Sequence, residues 1–414
     1  MNLKNLKSSL ISQFSTQIIK AFLTVFVGSL TVRYLGPSAI GKFSYSLAIV
    51  GILAPFGALG IKSSLSSLLC ETNHDSELVS TAFLLRIIGS FLIGIIILPI
   101  FLIETDFQLK ILLLIIYFSN IFNTTEVFEI KLLDDNKGKI VALITFIQNI
   151  FFVISTLLII YFKASLLAFG AIYSIQFLLR GVLNLYFARF NNFLKILSSF
   201  KIDKAIKIIQ RGWPLILTGF SVILYTKSDQ IMLSLFGESM TDIGKYAVAL
   251  RIISAMYFIP VVISRTYLPF VGRNSSEFSE NFYLKKLYRI SWIAGITSTF
   301  TTFLLFSRLI PFVFGNEFVD SQKVLQILAP SLFAVTLGCA NSAWLNTNNY
   351  QKQMLARTSI GLVANLIFNV LLIPKYGIYG AALGTTLGQY FSVFGILFMN
   401  KKIRSNMIKL SFPF

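Results

Sequence analysis

Leu92-Ile-Gly-Ile-Ile-Ile-Leu-Pro-Ile-Phe-Leu102 contains no charge, and neither do Ile150–Ile160 and Ile360–Ile373. Crossing the ~30 Å hydrocarbon layer of a bilayer takes about 20 predominantly apolar residues in helical form. Working outward from these segments, stretches of that length recur about twelve times. They lie near 10–33, 40–60, 79–103, 109–130, 140–162, 165–188, 211–236, 244–270, 287–314, 323–346, 355–373 and 378–400. Backbone N–H and C=O groups find no partners in hydrocarbon, so each stretch is predicted to be a helix. The expected fold class is an all-α membrane protein, with 12 transmembrane helices in two pseudo-symmetric six-helix lobes.

Composition agrees. Of 414 residues, 55% are hydrophobic and 13% charged, against about 25% charged in soluble domains. The formal net charge of +19 would suggest nucleic acid in a soluble protein. In a polytopic chain it reads as orientation, because Lys and Arg gather on cytoplasmic loops. Lys131, Lys137, Lys139, Arg189, Lys195, Lys201, Lys204, Arg273, Lys285, Lys286, Lys352, Lys401 and Lys402 all fall in segments that are cytoplasmic if the N-terminus is. Both termini are therefore expected inside, with no nucleic-acid partner. No cleavable signal peptide is expected, because the first span is too long for one.

The longest gap lies at the midpoint. Phe193-Leu-Lys-Ile-Leu and Ile202-Asp-Lys-Ala-Ile-Lys-Ile-Ile suggest a basic amphipathic segment on the inner membrane surface. The expected domains are an N-terminal lobe (1–190), a cytoplasmic linker (191–210), a C-terminal lobe (211–402) and a cytoplasmic tail (403–414). The halves look duplicated. Gly36-Pro-Ser-Ala-Ile-Gly-Lys-Phe-Ser-Tyr follows span one, and Gly237-Glu-Ser-Met-Thr-Asp-Ile-Gly-Lys-Tyr-Ala follows span seven. Gly41 matches Gly244. Parallel repeats of this kind are a transporter signature, with the substrate site between the halves.

Ionisable residues within spans are expensive and mark function. Basic candidates are Lys20, Arg86, Arg180, Lys227, Arg251 and Arg265; Arg86 and Arg265 lie nearer the span ends, where snorkelling is an alternative. Helical spacing aligns Gln13, Gln17 and Lys20 on span one, and Tyr173, Gln176, Arg180 and Asn184 on span six. It also aligns Arg251, Ser254, Phe258 and Arg265 on span eight. Ser119, Asn123, Glu126 and Glu129 form an acidic stripe on span four. Converging cations suit an anion with a greasy tail, whose head crosses while the tail stays in lipid. Glu126, Glu129 and Asp229 are candidates for coupling a proton or sodium ion, or for structural pairing.

Other chemistry is excluded or unsupported. Gly36-Pro-Ser-Ala-Ile-Gly41-Lys42 has phosphate-loop spacing, but Phe43 replaces the Mg²⁺-binding hydroxyl and no strand precedes it. Cys70 and Cys339 are too far apart in sequence for a CxxC metal site. The single histidine, His74, sits in a polar loop. No catalytic residues, cofactor or metal are expected, and the chain is not expected to be an enzyme.

Three passages carry a resemblance. The first is Gln17 with Arg33-Tyr-Leu-Gly-Pro and Gly41-Lys-Phe-Ser-Tyr. The second is Arg211-Gly-Trp-Pro-Leu, Tyr225-Thr-Lys-Ser-Asp-Gln-Ile-Met-Leu, Ile243-Gly-Lys-Tyr-Ala and Phe258-Ile-Pro. The third is Asn365 with Asn369-Val-Leu-Leu-Ile-Pro-Lys-Tyr-Gly-Ile-Tyr-Gly-Ala-Ala. On these, essentially the full length resembles the Wzx-type O-antigen flippases, the polysaccharide-transport branch of the multidrug/oligosaccharidyl-lipid/polysaccharide (MOP) exporter superfamily. The resemblance implies a V-shaped bundle like that of MATE transporters, around a cationic cavity. It implies transfer of undecaprenyl-pyrophosphate-linked oligosaccharide from the inner to the outer leaflet of a bacterial cytoplasmic membrane, for O-antigen, capsule or related polysaccharide synthesis. A polymerase and a chain-length regulator are the implied pathway partners. The family's basic residue before the span-seven aspartate maps to Lys227, and the aspartate to Asp229; lysine binds phosphate there as a point charge.

Three alternatives compete. A MATE-type drug antiporter would want an acidic cavity for cationic drugs. Lipid II flippases usually carry further C-terminal helices that this sequence lacks. A membrane oligosaccharide polymerase would need a large outward loop, and each outward loop here is short.

Overall fold

The computed structural model describes the backbone of residues 3–72, 75–188, 199–273, 277–347 and 350–395. It describes side chains from Val27 onward in these ranges, except at 218, 265, 268–273, 277–281, 346–347 and 351. All of the secondary structure among the described residues is helical. The helices are α1 (Leu3–Ala58), α2 (Ile61–Glu71), α3 (Ser76–Ile103), α4 (Phe107–Phe122), α5 (Glu126–Asp134), α6 (Gly138–Tyr161) and α7 (Leu166–Phe187). They continue with α8 (Ile202–Leu235), α9 (Met240–Met256), α10 (Phe258–Arg273), α11 (Glu277–Thr301), α12 (Ser307–Phe314), α13 (Val319–Thr347) and α14 (Gln351–Phe394).

Ten stretches among the described residues are long and apolar enough to cross a membrane. The expected twelve spans map onto fewer continuous helices for a local reason. Expected spans 10–33 and 40–60 are one helix that turns at Gly36, and 355–373 and the first part of 378–400 fall on one that turns at Gly377 and ends at Phe394; 396–400 lie outside the described residues. Both glycines have positive φ, 76° and 55°, which residues with a Cβ adopt only with strain. The helices therefore change direction without a loop. Elsewhere, side-chain caps mark the ends. Asp75, Asp106, Ser165 and Ser239 each accept a hydrogen bond from the first turn of the following helix, which satisfies otherwise orphaned N–H groups.

The apolar faces point the wrong way for water. On α3, Phe91 is 60% exposed, Ile95 65% and Leu102 64%. Such a contiguous surface needs lipid as its solvent. The protein is therefore a multi-pass membrane protein.

Contacts divide the chain into two compact units, Lys42–Ile231 and Met1–Gly41 together with Met232–Phe414. In the Lys42–Ile231 unit, Ile61, Leu65, Leu69, Val79, Phe83, Phe128 and Ile208 share one core. Ile208 belongs to the expected linker 191–210. Residues 191–198 lie outside the described residues; 202–210 form the first turns of α8, docked on α2 and α3. Lys204 fixes them by pairing with Asp75 (2.5 Å) and Glu77 (2.8 Å). In the other unit, Leu284, Tyr288, Leu337, Ala340, Trp344 and Val393 form a core of α11, α13 and α14.

The duplicated motif has a structural counterpart. A Cβ on Gly41 would overlap the Met240 carbonyl, and a Cβ on Gly244 would overlap the Pro37 carbonyl. Each glycine thus meets the residue four positions before its counterpart, a reciprocal crossing that only small residues allow. The lysine after each glycine reaches an aspartate at the start of a later helix: Lys42 to Asp106 and Lys245 to Asp320, both at 2.6 Å.

Candidate functional site

The acidic stripe on span four is built by a helix break. After α4, Asn123–Thr125 form a 3₁₀ turn, and α5 restarts at Glu126. Glu126 and Glu129 lie one turn apart in the first turns of α5. That position lets the helix dipole favour their negative charge, and i, i+3 spacing puts both on one face. Gly181 of α7 packs against the break: a Cβ there would lie 2.9 Å from Thr125 Oγ1. Asn184 Nδ2 donates to the Thr125 carbonyl at 3.4 Å. This close approach brings Arg180 to Glu129, with which it pairs.

Arg86 of α3, 7% exposed, donates from Nη2 to Glu126 Oε2 at 3.1 Å. Lys62 of α2 donates to the other oxygen, Oε1, at 2.6 Å. The Lys62 side chain is 72% exposed, whereas that of Glu126 is 16% exposed. The cluster thus holds three cations and two carboxylates and opens outward at Lys62. The basic and acidic candidates on spans three, four and six are therefore one interlocked group. Two buried polar atoms in it find no partner among the described residues: Arg180 Nε and Asn184 Oδ1. Gln176 is 7% exposed and Asn184 is 0%, while Tyr173 packs edge-on against Phe43. The polar stripe of span six therefore faces protein and not lipid. In the same unit, α8 carries Lys227, half-buried, and Asp229, 1% exposed.

The other unit holds Arg251 on α9. Its Nη1 donates to the Gly28 carbonyl at 3.2 Å, and a Cβ at position 28 would lie 3.0 Å from that nitrogen. No carboxylate among the described residues forms an ion pair with Arg251. A turn at Tyr257 separates α9 from α10, so Arg251 and Arg265 stand on two helices instead of one continuous stripe. Lys20 and Arg265 lie on α1 and α10; their side chains, and the whole of His74, lie outside the described residues.

The profile of the family described as polysaccharide biosynthesis protein matches residues 3–275. The chain belongs to this family. A probable low-salt glycan biosynthesis flippase from Haloferax volcanii, Agl15, is 25% identical over 92% of this chain and 81% of its own length. The capsular polysaccharide biosynthesis protein CapF of Staphylococcus aureus is 23% identical over 94% of this chain and 98% of its own. Among solved structures, the lipid II flippase MurJ in an inward closed conformation superimposes with a TM-score of 0.73 at 19% identity, covering 96% of this chain and 90% of MurJ. An inward-facing MATE-family multidrug resistance transporter of the MOP superfamily gives 0.67 at 16% identity, covering 94% and 95%. At these identities the superpositions establish the fold: the chain has the helical MATE-like architecture expected from its sequence.

In this polysaccharide biosynthesis protein the sequence reading passed over one deep cation. Arg357 is 9% exposed and donates from Nη1 to the Gly338 carbonyl at 2.8 Å and from Nη2 to Ser342 Oγ at 3.0 Å. It lies seven residues into α14, where hydropathy alone assigns it to a loop edge. Gly338 and Ser342 reside on α13, so no pattern within its own segment marks it. The same holds for Lys62, whose role beside Glu126 appears only once α2 packs on α5.

Proposed function

We propose that the chain translocates undecaprenyl-pyrophosphate-linked oligosaccharide from the inner to the outer leaflet of a bacterial cytoplasmic membrane, with both of its termini cytoplasmic. A polymerase and a chain-length regulator would act on the product. The observation that carries this reading is the placement of cations inside apolar helices: Arg86 buried and Arg180 half-buried in the unit 42–231, and Arg251 held by a backbone carbonyl in the other unit. A buried guanidinium without a carboxylate is costly, and an anionic substrate offsets that cost. Lys227 serves as a phosphate contact beside Asp229, and Lys20 and Arg265 extend the cationic set. The six-plus-six lobes of 1–190 and 211–402, joined by 191–210, are the repeat units of this proposal; the matched Gly41 and Gly244 and the matched lysine–aspartate pairs support them. The names of the glycan flippase and capsule biosynthesis relatives support the same cargo class.

An inside-negative potential favours outward movement of anionic charge by about 2.3 kcal/mol per charge per 100 mV. Glu126, Glu129 and Asp229 are the groups that would bind a coupling proton or sodium ion. The deciding experiment combines Arg251→Ala and Lys227→Ala in cells that depend on this gene for surface glycan. Each variant is expected to insert at the normal level and lose surface glycan, with the lipid-linked precursor accumulating inside. Normal glycan from both would overturn the assignment.

A further inference from the structure

The ion pairs of the unit 42–231 pose a problem for a cationic headgroup site: its two deepest arginines are already occupied. We infer that Glu126 and Glu129 are resident stand-ins for the phosphates, and that the diphosphate headgroup binds by displacing them from Arg86 and Arg180. This rests on the flippase reading above and adds the mode of headgroup capture.

Four observations point the same way. The carboxylates sit one helical turn apart on one face of α5, so two anionic groups are presented side by side, as in a diphosphate. Carboxylate and phosphate are the two anions that guanidinium groups recognise with the same fork of donors, so one can replace the other without moving the arginines. Buried ion pairs come close to breaking even against desolvation, so exchanging the anion is inexpensive. Finally, the carboxylates leave the site incompletely satisfied: Arg180 Nε stays buried without a partner among the described residues. A phosphate, with more acceptor oxygens than a carboxylate, supplies one.

The layout also gives an order of events. Lys62 is the exposed member of the group and shares Glu126 with the buried Arg86. An arriving headgroup meets Lys62 first, draws it from Glu126, and then exchanges with Glu126 at Arg86 and with Glu129 at Arg180. The displaced carboxylates return when the headgroup leaves, so the arginines are never left without an anion. The glutamates act as positioning residues that compete with the substrate and promote its release.

The test uses the full-length protein in nanodiscs of neutral lipid, with inorganic pyrophosphate and farnesyl diphosphate as probes. Comparing the two separates recognition of the diphosphate from recognition of the tail. Glu129→Gln and Glu126→Gln remove the internal competitor, and each is expected to tighten diphosphate binding by about tenfold, the value of one charge-assisted hydrogen bond. Translocation by the same variants is expected to slow, because release slows. A readout on the unaltered protein keeps the test independent of variant folding. Displacement frees the Glu129 carboxyl from its ion pair with Arg180, so diphosphate is expected to increase its modification by dicyclohexylcarbodiimide. Unchanged or weaker binding in both Gln variants, or carbodiimide labelling that ignores diphosphate, overturns the exchange. If Arg180→Ala still abolishes binding in that case, the flippase reading survives. If the wild-type protein binds neither probe, both fall.

Discussion

The two units solve the problem of buried arginine in different ways. In the unit 42–231, Arg86 and Arg180 face carboxylates. In the other, Arg251 and Arg357 donate to backbone carbonyls of Gly28 and Gly338, with Ser342 assisting. A carboxylate cancels the charge; a carbonyl dipole only orients it. The first arrangement pairs each cation with a neighbouring carboxylate. The second fixes the direction of a cation through backbone dipoles. Proteins keep charge in hydrocarbon only where it is paired or functional.

The largest expected effect breaks the paired side of this comparison. Glu126→Leu removes the carboxylate from Arg86 and leaves a buried guanidinium uncompensated. The expected cost is about 3–5 kcal/mol, seen as a large drop in thermal unfolding temperature in detergent. The double variant Arg86→Met with Glu126→Leu removes both charges and is expected to recover most of that loss. A double variant no more stable than the single one would mean that the pair does more than neutralise.

A smaller effect is expected on the dipole side. Arg357→Met removes the cation together with its hydrogen bonds to Gly338 and Ser342. The cost should be about 1–3 kcal/mol, that of leaving the Gly338 carbonyl and Ser342 unsatisfied. Thermal unfolding of Arg357→Met beside Glu126→Leu measures the contrast directly, and equal losses would erase it.

The smallest effect concerns the matched lysine–aspartate pairs at the helix starts. Lys42 holds the Asp106 carboxyl below the usual range by donating to it, against the opposing effect of partial burial, and the Leu109 and Gln108 backbone N–H groups add to the lowering. A depressed carboxyl contributes stability that is present above its unfolded pKa and lost as pH falls through the folded value. The Lys42–Asp106 contribution is therefore expected to hold at neutral pH and disappear below about pH 4. Asp106→Asn preserves the cap and removes the charge. It should cost about 0.2–1 kcal/mol at pH 7 and nothing at the acidic end, as measured by unfolding across pH.

Much of the fold was legible because lipid imposes a simple rule. A run such as Leu92–Leu102 has one stable form in hydrocarbon, and the face it shows is the one observed, with Phe91 and Ile95 outward. The repeated motif was legible as well, since Ile-Gly-Lys-aromatic occurs twice and both glycines are required by the same crossing. Joined spans were less legible. Hydropathy sees a polar interval at Gly36 and Gly377, but not that the backbone turns there without leaving the helix.

The site was legible only in its ingredients. Their position within apolar spans marked Arg86, Arg180, Arg251, Glu126 and Glu129 as unusual, because each is charged where its neighbours are apolar. Partners are a different matter. Glu129 and Arg180 are separated by 51 residues, Arg86 and Glu126 by 40, and Lys62 and Glu126 by 64. By itself the sequence determined that the chain is a bundle of membrane-crossing helices with charges sealed inside it, because transfer of apolar surface and the cost of buried charge are local properties of each segment. Only the tertiary structure decided which of those charges pair with one another. Ion pairing depends on distance in space, and helix packing at contacts such as Gly181 on Thr125 sets that distance.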